Sequence, residues 1–184
     1  QAARVCVAAG QVARHDFDLG ARESTATTAR DQAVMLDAFT VVERELSVQA
    51  SNGDLVAMMR TEPAYGTCLW VCRSSDLGRT WSKPVQTPLH GHPAHLLRLR
   101  DGRLLCTYGV RDVPIGIRAC LSRDDGRTWR AEDIVVLRTG PDFKPDSGYP
   151  VTLEGDDGTL LSMYYLTRGD KTGIELTRWR SAWK

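Results

Sequence analysis

An eight-residue pattern occurs twice in this chain and constrains its fold more than any other feature. Ser74-Ser75-Asp76-Leu77-Gly78-Arg79-Thr80-Trp81 and Ser122-Arg123-Asp124-Asp125-Gly126-Arg127-Thr128-Trp129 both read S-x-D-x-G-x-T-W, with the aspartates 48 residues apart. Each position has a physical job. Gly78 and Gly126 take the positive φ that a tight hairpin needs. Asp76 and Asp124 accept hydrogen bonds from backbone N–H groups of the turn, and Ser74 and Ser122 support the same network. Trp81 and Trp129 start the outgoing strand and offer rings for packing between neighbouring sheets. These aspartates read as turn-formers, not as catalytic acids. Five fixed positions recurring at one interval of this size signal a repeat architecture, and blades of four short strands fall in that range.

A second repeat lies upstream of each box. Asn52-Gly53-Asp54-Leu55, Asp101-Gly102-Arg103-Leu104 and Asp157-Gly158-Thr159-Leu160 each read as a turn entering an apolar strand. The strands expected next are Leu55–Arg60, Leu104–Tyr108 and Leu160–Leu166, with third strands at Thr67–Arg73, Ile115–Ser122 and Gly173–Arg178. Asp16-Phe17-Asp18-Leu19-Gly20 reads as a degenerate box closing an earlier, partial blade. The expectation is an all-β chain forming one partial propeller over residues 1–184. Its blades fall near 1–45 (a remnant), 46–95, 96–150 and 151–184. A six-bladed ring needs roughly 300 residues or more. Three arrangements meet that deficit: a piece of a larger protein, a half-propeller that self-associates as a homodimer, or a smaller closed ring.

Composition excludes several classes. The formal net charge is +1, which leaves no electrostatic footprint for nucleic acid or for an anionic membrane. No apolar run approaches the ~18 residues of a membrane span. The opening Gln1-Ala2-Ala3-Arg4 has neither Met nor a signal-peptide layout, so a processed or excised chain is expected. The five cysteines are Cys6, Cys68, Cys72, Cys106 and Cys120, an odd number that leaves at least one unpaired in a monomer. Their spacing makes no zinc site. Cys106 and Cys120 can face each other across one hairpin, whereas Cys68 and Cys72, four apart on one strand, are too distant to bond. Buried free thiols are expected for most of them, and no cofactor is implied.

The repeated box resembles the Asp-box, or bacterial neuraminidase repeat, of sialidases and related six-bladed propellers. The resemblance extends to Gly91–Leu105, to Tyr108-Gly109-Val110-Arg111, to Gly116-Ile117-Arg118-Ala119, to Asp146-Ser147-Gly148-Tyr149-Pro150 and to Leu176-Thr177-Arg178-Trp179-Arg180. It covers residues 40–184 well and residues 1–39 poorly. The boxes specify fold strongly and chemistry weakly, because non-catalytic propellers carry them too.

The resemblance implies a site. A sialidase substrate carries a carboxylate on its anomeric carbon, which repels an anionic nucleophile, so a neutral Tyr activated by a Glu takes that role. Three arginines clamp the carboxylate bidentately, and a separate Asp serves as acid/base. Carried over by position, Tyr149 matches the nucleophile's setting. Glu45, or Glu43 on the same strand face, matches its activating Glu. Arg60 matches one clamp position, and Arg111 and Arg118 compete for a later one. His92 and His95, in His90-Gly91-His92-Pro93-Ala94-His95, are assigned hydrogen-bonded or sugar-contacting roles. No acidic third ligand at fixed spacing makes that cluster a metal site. The family's first clamp arginine and its acid/base Asp belong to an F/Y-R-I-P segment that is absent here. The expected function is a sialidase-like exo-glycosidase acting on a terminal acidic sugar, incomplete in this chain alone. The alternative is a non-catalytic carbohydrate-binding or assembly propeller. The resemblance implies an extracellular or periplasmic location.

Overall fold

The computed structural model describes residues 6–8, 11–13, 46–60, 67–180 and 183. Among them the chain is all-β, with antiparallel sheets and a single 3-10 turn at Ala131–Asp133. β1 (Cys6–Ala8) and β2 (Gln11–Ala13) form a short hairpin. Three larger sheets follow, each pairing its strands in chain order. The first contains β3 (Leu46–Gln49), β4 (Leu55–Met59), β5 (Cys68–Ser74) and β6 (Val85–His90). The second contains β7 (Ala94–Arg98), β8 (Leu104–Val110), β9 (Gly116–Ser122) and β10 (Ile134–Thr139). The third has three strands, β11 (Gly148–Glu154), β12 (Leu160–Arg168) and β13 (Lys171–Trp179). These are propeller blades, as the two boxes led one to expect. The degenerate box at Asp16–Gly20 lies outside the described residues.

The repeated turns are physically the same turn. Gly53, Gly102 and Gly158 all have positive φ, at 90°, 91° and 73°. Their N–H groups bond Ala50, Leu99 and Gly155 carbonyls at 3.0, 2.9 and 3.0 Å. The two boxes also coincide. Thr80 N donates to Asp76 Oδ1 at 2.9 Å and Thr80 Oγ1 to Asp76 Oδ2 at 2.7 Å. Thr128 donates to Asp124 with the same two distances. Ser74 and Ser122 each donate to their aspartate at 2.7 Å. Each also accepts the box glycine's N–H, at 2.8 and 2.9 Å. The Thr80 bonds hold the Asp76 carboxyl down at about 2. The residue before each glycine, Leu77 or Asp125, also adopts positive φ, near 59° and 58°.

Period-two alternation aims each strand at two neighbours. β8 is buried at every position. Leu104, Cys106, Tyr108 and Val110 pack with Val56, Met58 and Leu69 of the first sheet. On the opposite face Leu105 packs with Leu160 of the third sheet, and Leu121 and Trp179 join the same cluster. A buried polar chain crosses that second seam. Thr152 Oγ1 donates to Thr107 Oγ1 at 3.1 Å and lies 2.7 Å from Ser162 Oγ, which also accepts Trp179 Nε1 at 2.9 Å. Cys106 and Cys120 stand directly opposite across β8–β9 as buried free thiols, and Cys68 and Cys72 are buried as well. No helix among the described residues is long and apolar enough to cross a membrane.

Candidate functional site

The antiparallel register brings one set of strand ends to one rim: the end of β4, the start of β7, the end of β8, the start of β11 and the end of β12. Three glycines let these ends converge. A Cβ on Gly91 would lie 2.2 Å from Gly109 O, and one on Gly109 would lie 3.1 Å from Gly148 Cα. His92 N donates to Gly109 O at 2.7 Å. Only glycine permits backbones this close.

His92, Arg111 and Tyr149 meet at this rim, and Arg60 follows the end of β4. Burial pushes the His92 imidazole below its ordinary value, and the charges of Arg111 and Arg60 push it further down, with Asp112 opposing. The Arg111 guanidinium carbon sits 5.9 Å from the centroid of the Tyr149 ring, within cation–π range. Tyr149 is 43 % exposed and has a φ of 51°. A bulky residue in that region marks backbone held by its surroundings. Two polar atoms here, His92 Nδ1 and Arg111 Nε, are buried without a hydrogen-bond partner among the described residues. Such atoms are costly unless something completes them.

Two residues that sequence reasoning left without a role join the cluster. The Tyr165 ring stacks on Tyr149 with centroids 5.8 Å apart and planes 27° from parallel. Its hydroxyl donates to Asp146 Oδ1 at 2.7 Å. Burial first, then this bond, pushes the Tyr165 phenol up to about 12. The Tyr164-Tyr165 doublet was the available signal: in a strand one of two neighbours faces inward, and Tyr164 is the buried one at 2 % exposure.

Arg118 and His95 lie away from this cluster. Arg118 is mid-strand in β9, opposite Tyr108 and Val136, so Arg111 is the arginine that reaches Tyr149. His95 points into the seam between β7 and β11, where its Nδ1 accepts the Thr152 N–H at 3.4 Å. Burial holds its imidazole down at about 4. His90, at the end of β6, lies 3.4 Å from Cys68 Sγ. Glu43 and Glu45 fall outside the described residues. Among the described residues no group of His, Cys, Asp or Glu is arranged to hold a metal ion.

A family model for the BNR repeat-like domain matches residues 14–162, which include both boxes, the rim glycines and Tyr149. The chain belongs to the BNR repeat-like family. Solved structures with the same fold include a protein of unknown function from Dyadobacter fermentans DSM 18053. It is 33 % identical with a TM-score of 0.66, over 74 % of this chain and 37 % of that one. The GH93 α-L-arabinofuranosidase of Fusarium graminearum is 20 % identical with a TM-score of 0.56, over 76 % of this chain and 46 % of that one. The α-L-arabinanase of Penicillium chrysogenum is 23 % identical with a TM-score of 0.53, over 74 % of this chain and 47 % of that one. This BNR repeat-like chain therefore spans less than half the length of these three structures. No curated protein matches it.

Proposed function

We propose that the rim of Arg60, His92, Arg111, Tyr149 and Tyr165 is the substrate cleft of a glycoside hydrolase, and that its substrate is a glycan ending in an acidic sugar of the sialic acid type. The observation that carries this reading is the Arg111 guanidinium over an accessible tyrosine, at a rim where the charge of Arg60 is also felt at His92. Guanidinium groups match a carboxylate, and a pair of them beside Tyr149 gives an anionic sugar its counter-charge. An exposed aromatic ring next to them offers a face for the sugar ring. The arabinofuranosidase and arabinanase among the solved relatives support a glycosidase ancestry.

In this reaction the Tyr149 oxygen attacks the anomeric carbon as the glycosidic bond breaks. The leaving oxygen takes a proton from a general acid, and water then releases the sugar from tyrosine. Arg60 and Arg111 hold the substrate carboxylate throughout. Glu45 or Glu43 supplies the base for the tyrosine proton, and the general acid belongs to blades beyond those described.

The test is a panel of fluorogenic glycosides given to the full-length protein: an α-sialoside, a β-glucuronide and an α-L-arabinofuranoside. Release from the sialoside, lost in Arg111→Ala, supports the reading. Release from the arabinofuranoside alone moves the substrate class to neutral pentoses. A second reading is binding without cleavage, favoured by the commitment of the rim carboxylate Asp146 to Tyr165. Calorimetric binding of 3′-sialyllactose without release from any fluorogenic glycoside would establish it.

A further inference from the structure

The loop before Tyr149 is stitched to the end of β12 at several points. Lys144 N donates to Thr167 O at 2.9 Å, and Thr167 N donates to Ser147 Oγ at 3.0 Å. Phe143 makes an isolated bridge with Arg168, and Ser147 is 1 % exposed. Side chains join the loop to β12 as well: Arg168 pairs with Asp142 at 3.7 Å and lies over the Phe143 ring, and the Tyr165 hydroxyl donates to Asp146. That link fixes the Tyr165 ring, and the Tyr165 ring is the one stacked on Tyr149.

Tyr149 needs such support. It is an exposed side chain, and an exposed tyrosine samples several rotamers. Its backbone lies in the left-handed region, one residue from the tight approach of Gly109 to Gly148. The backbone therefore fixes where the ring starts, and the neighbours fix where it points. Arg111 at 5.9 Å and Tyr165 at 5.8 Å are two of those neighbours.

We infer that Tyr165, anchored by Asp146, is the positioning residue for Tyr149: it holds the Tyr149 ring at the rim in one orientation, with Asp146 fixing Tyr165 in turn. The inference rests on the reading of Tyr149 as the residue that meets the sugar. It assigns Tyr165 no contact with the reacting atoms. A misplaced nucleophile loses rate more than affinity, because orientation is spent at the transition state.

Two measurements on the full-length protein test it. The first is aromatic NMR of protein labelled with 13C-tyrosine, with the Tyr149 signals assigned from Tyr149→Phe. Removing the stacked ring in Tyr165→Leu should move the Tyr149 signals toward random-coil positions, while Tyr165→Phe, which keeps the ring, should leave them nearly in place. Asp146→Ala should move them partway. Tyr149 signals unmoved in Tyr165→Leu would overturn the inference. The second is steady-state kinetics on the fluorogenic glycoside that the protein cleaves. Tyr165→Leu should lower kcat on the order of 10- to 100-fold with KM within about twofold, and Tyr165→Phe should restore kcat to within about threefold. Equal kcat per folded molecule in all variants would also overturn it. If no glycoside is cleaved, the hydrolase reading fails, and the NMR result still decides whether Tyr165 orients Tyr149.

Discussion

The middle sheet, β7–β10, and the last sheet, β11–β13, open on the same turn, at Gly102 and Gly158, and meet different fates. β8 of the middle sheet is buried throughout, because a blade packs on each of its faces. The last sheet packs one face, through Leu160, Tyr164 and Leu166, and leaves the other open. Register sets the open residues in rows across the strands, with Val151 beside Met163 and Met163 beside Leu176. Met163, Ile174 and Leu176 are 50 %, 71 % and 61 % exposed. Tyr149 and Tyr165 share that face at its rim end. The same opening turn therefore leads to a core sheet where described neighbours pack on both faces and, among the described residues, to an open face where they pack on one. Stability concentrates in the first, and the candidate chemistry in the second.

Substitutions break the comparison at different points. The largest expected effect is on the open sheet: Tyr149→Phe should lower turnover of the cleaved glycoside on the order of 100-fold or more while leaving the melting temperature nearly unchanged. A drop in melting temperature that tracks the lost activity would make Tyr149 part of the scaffold instead. In the middle sheet Leu105→Ala removes a side chain with no solvent exposure. It should cost about 3 kcal/mol in denaturant unfolding.

The seam between the two sheets is sensitive to acid. His95 is held down at about 4 from an ordinary 6.5 by burial, so the fold favours its neutral ring. The unfolded chain binds the extra proton between those values, and stability should fall as pH drops through that window, by on the order of 2–3 kcal/mol. His95→Gln should flatten this part of the pH profile. An unchanged slope would show that other groups carry it.

The boxes sharpen the contrast on a finer scale. Trp129 is 5 % exposed, and Asp125 beside it accepts the Ser51 N–H at 3.0 Å, tying the second box to the preceding blade. Arg73 also donates to the Asp125 carbonyl. Leu77, at the matching place in the first box, is 73 % exposed. Asp124→Ala should cost about 2 kcal/mol by thermal unfolding, and Asp76→Ala less, despite identical internal hydrogen bonds. The smallest effect belongs to the open face, where Leu176→Ala should change stability by less than ~0.5 kcal/mol.

Much of the fold was legible because it is written in local chemistry. A glycine with positive φ, an aspartate that bonds its own turn and alternating apolar residues act within a few positions of each other. The strand ends deviate by one or two residues: β4 stops at Met59 and β8 runs on to Val110. Those ends are set by pairing partners rather than by propensity. Tyr149, Arg60 and His92 were singled out from their local settings, and their roles at a substrate are proposals. Arg111 and Arg118 were not separable in the sequence, because the length of the loop between β8 and β9 does not tell which one faces the rim. Only the register places Arg118 opposite Tyr108 and leaves Arg111 beyond β8, beside Tyr149.

The sequence by itself determined the blade, its turns and the repeat, since these depend on residues close together in the chain. The tertiary structure decided which histidine sits in a seam and which at the rim, and which of two tyrosines is buried. It also decided that Tyr165 and Asp146 stand behind Tyr149. Those facts depend on which face of each strand meets the next blade. That meeting joins positions such as His95 and Thr152, 57 residues apart, whose proximity no local pattern encodes.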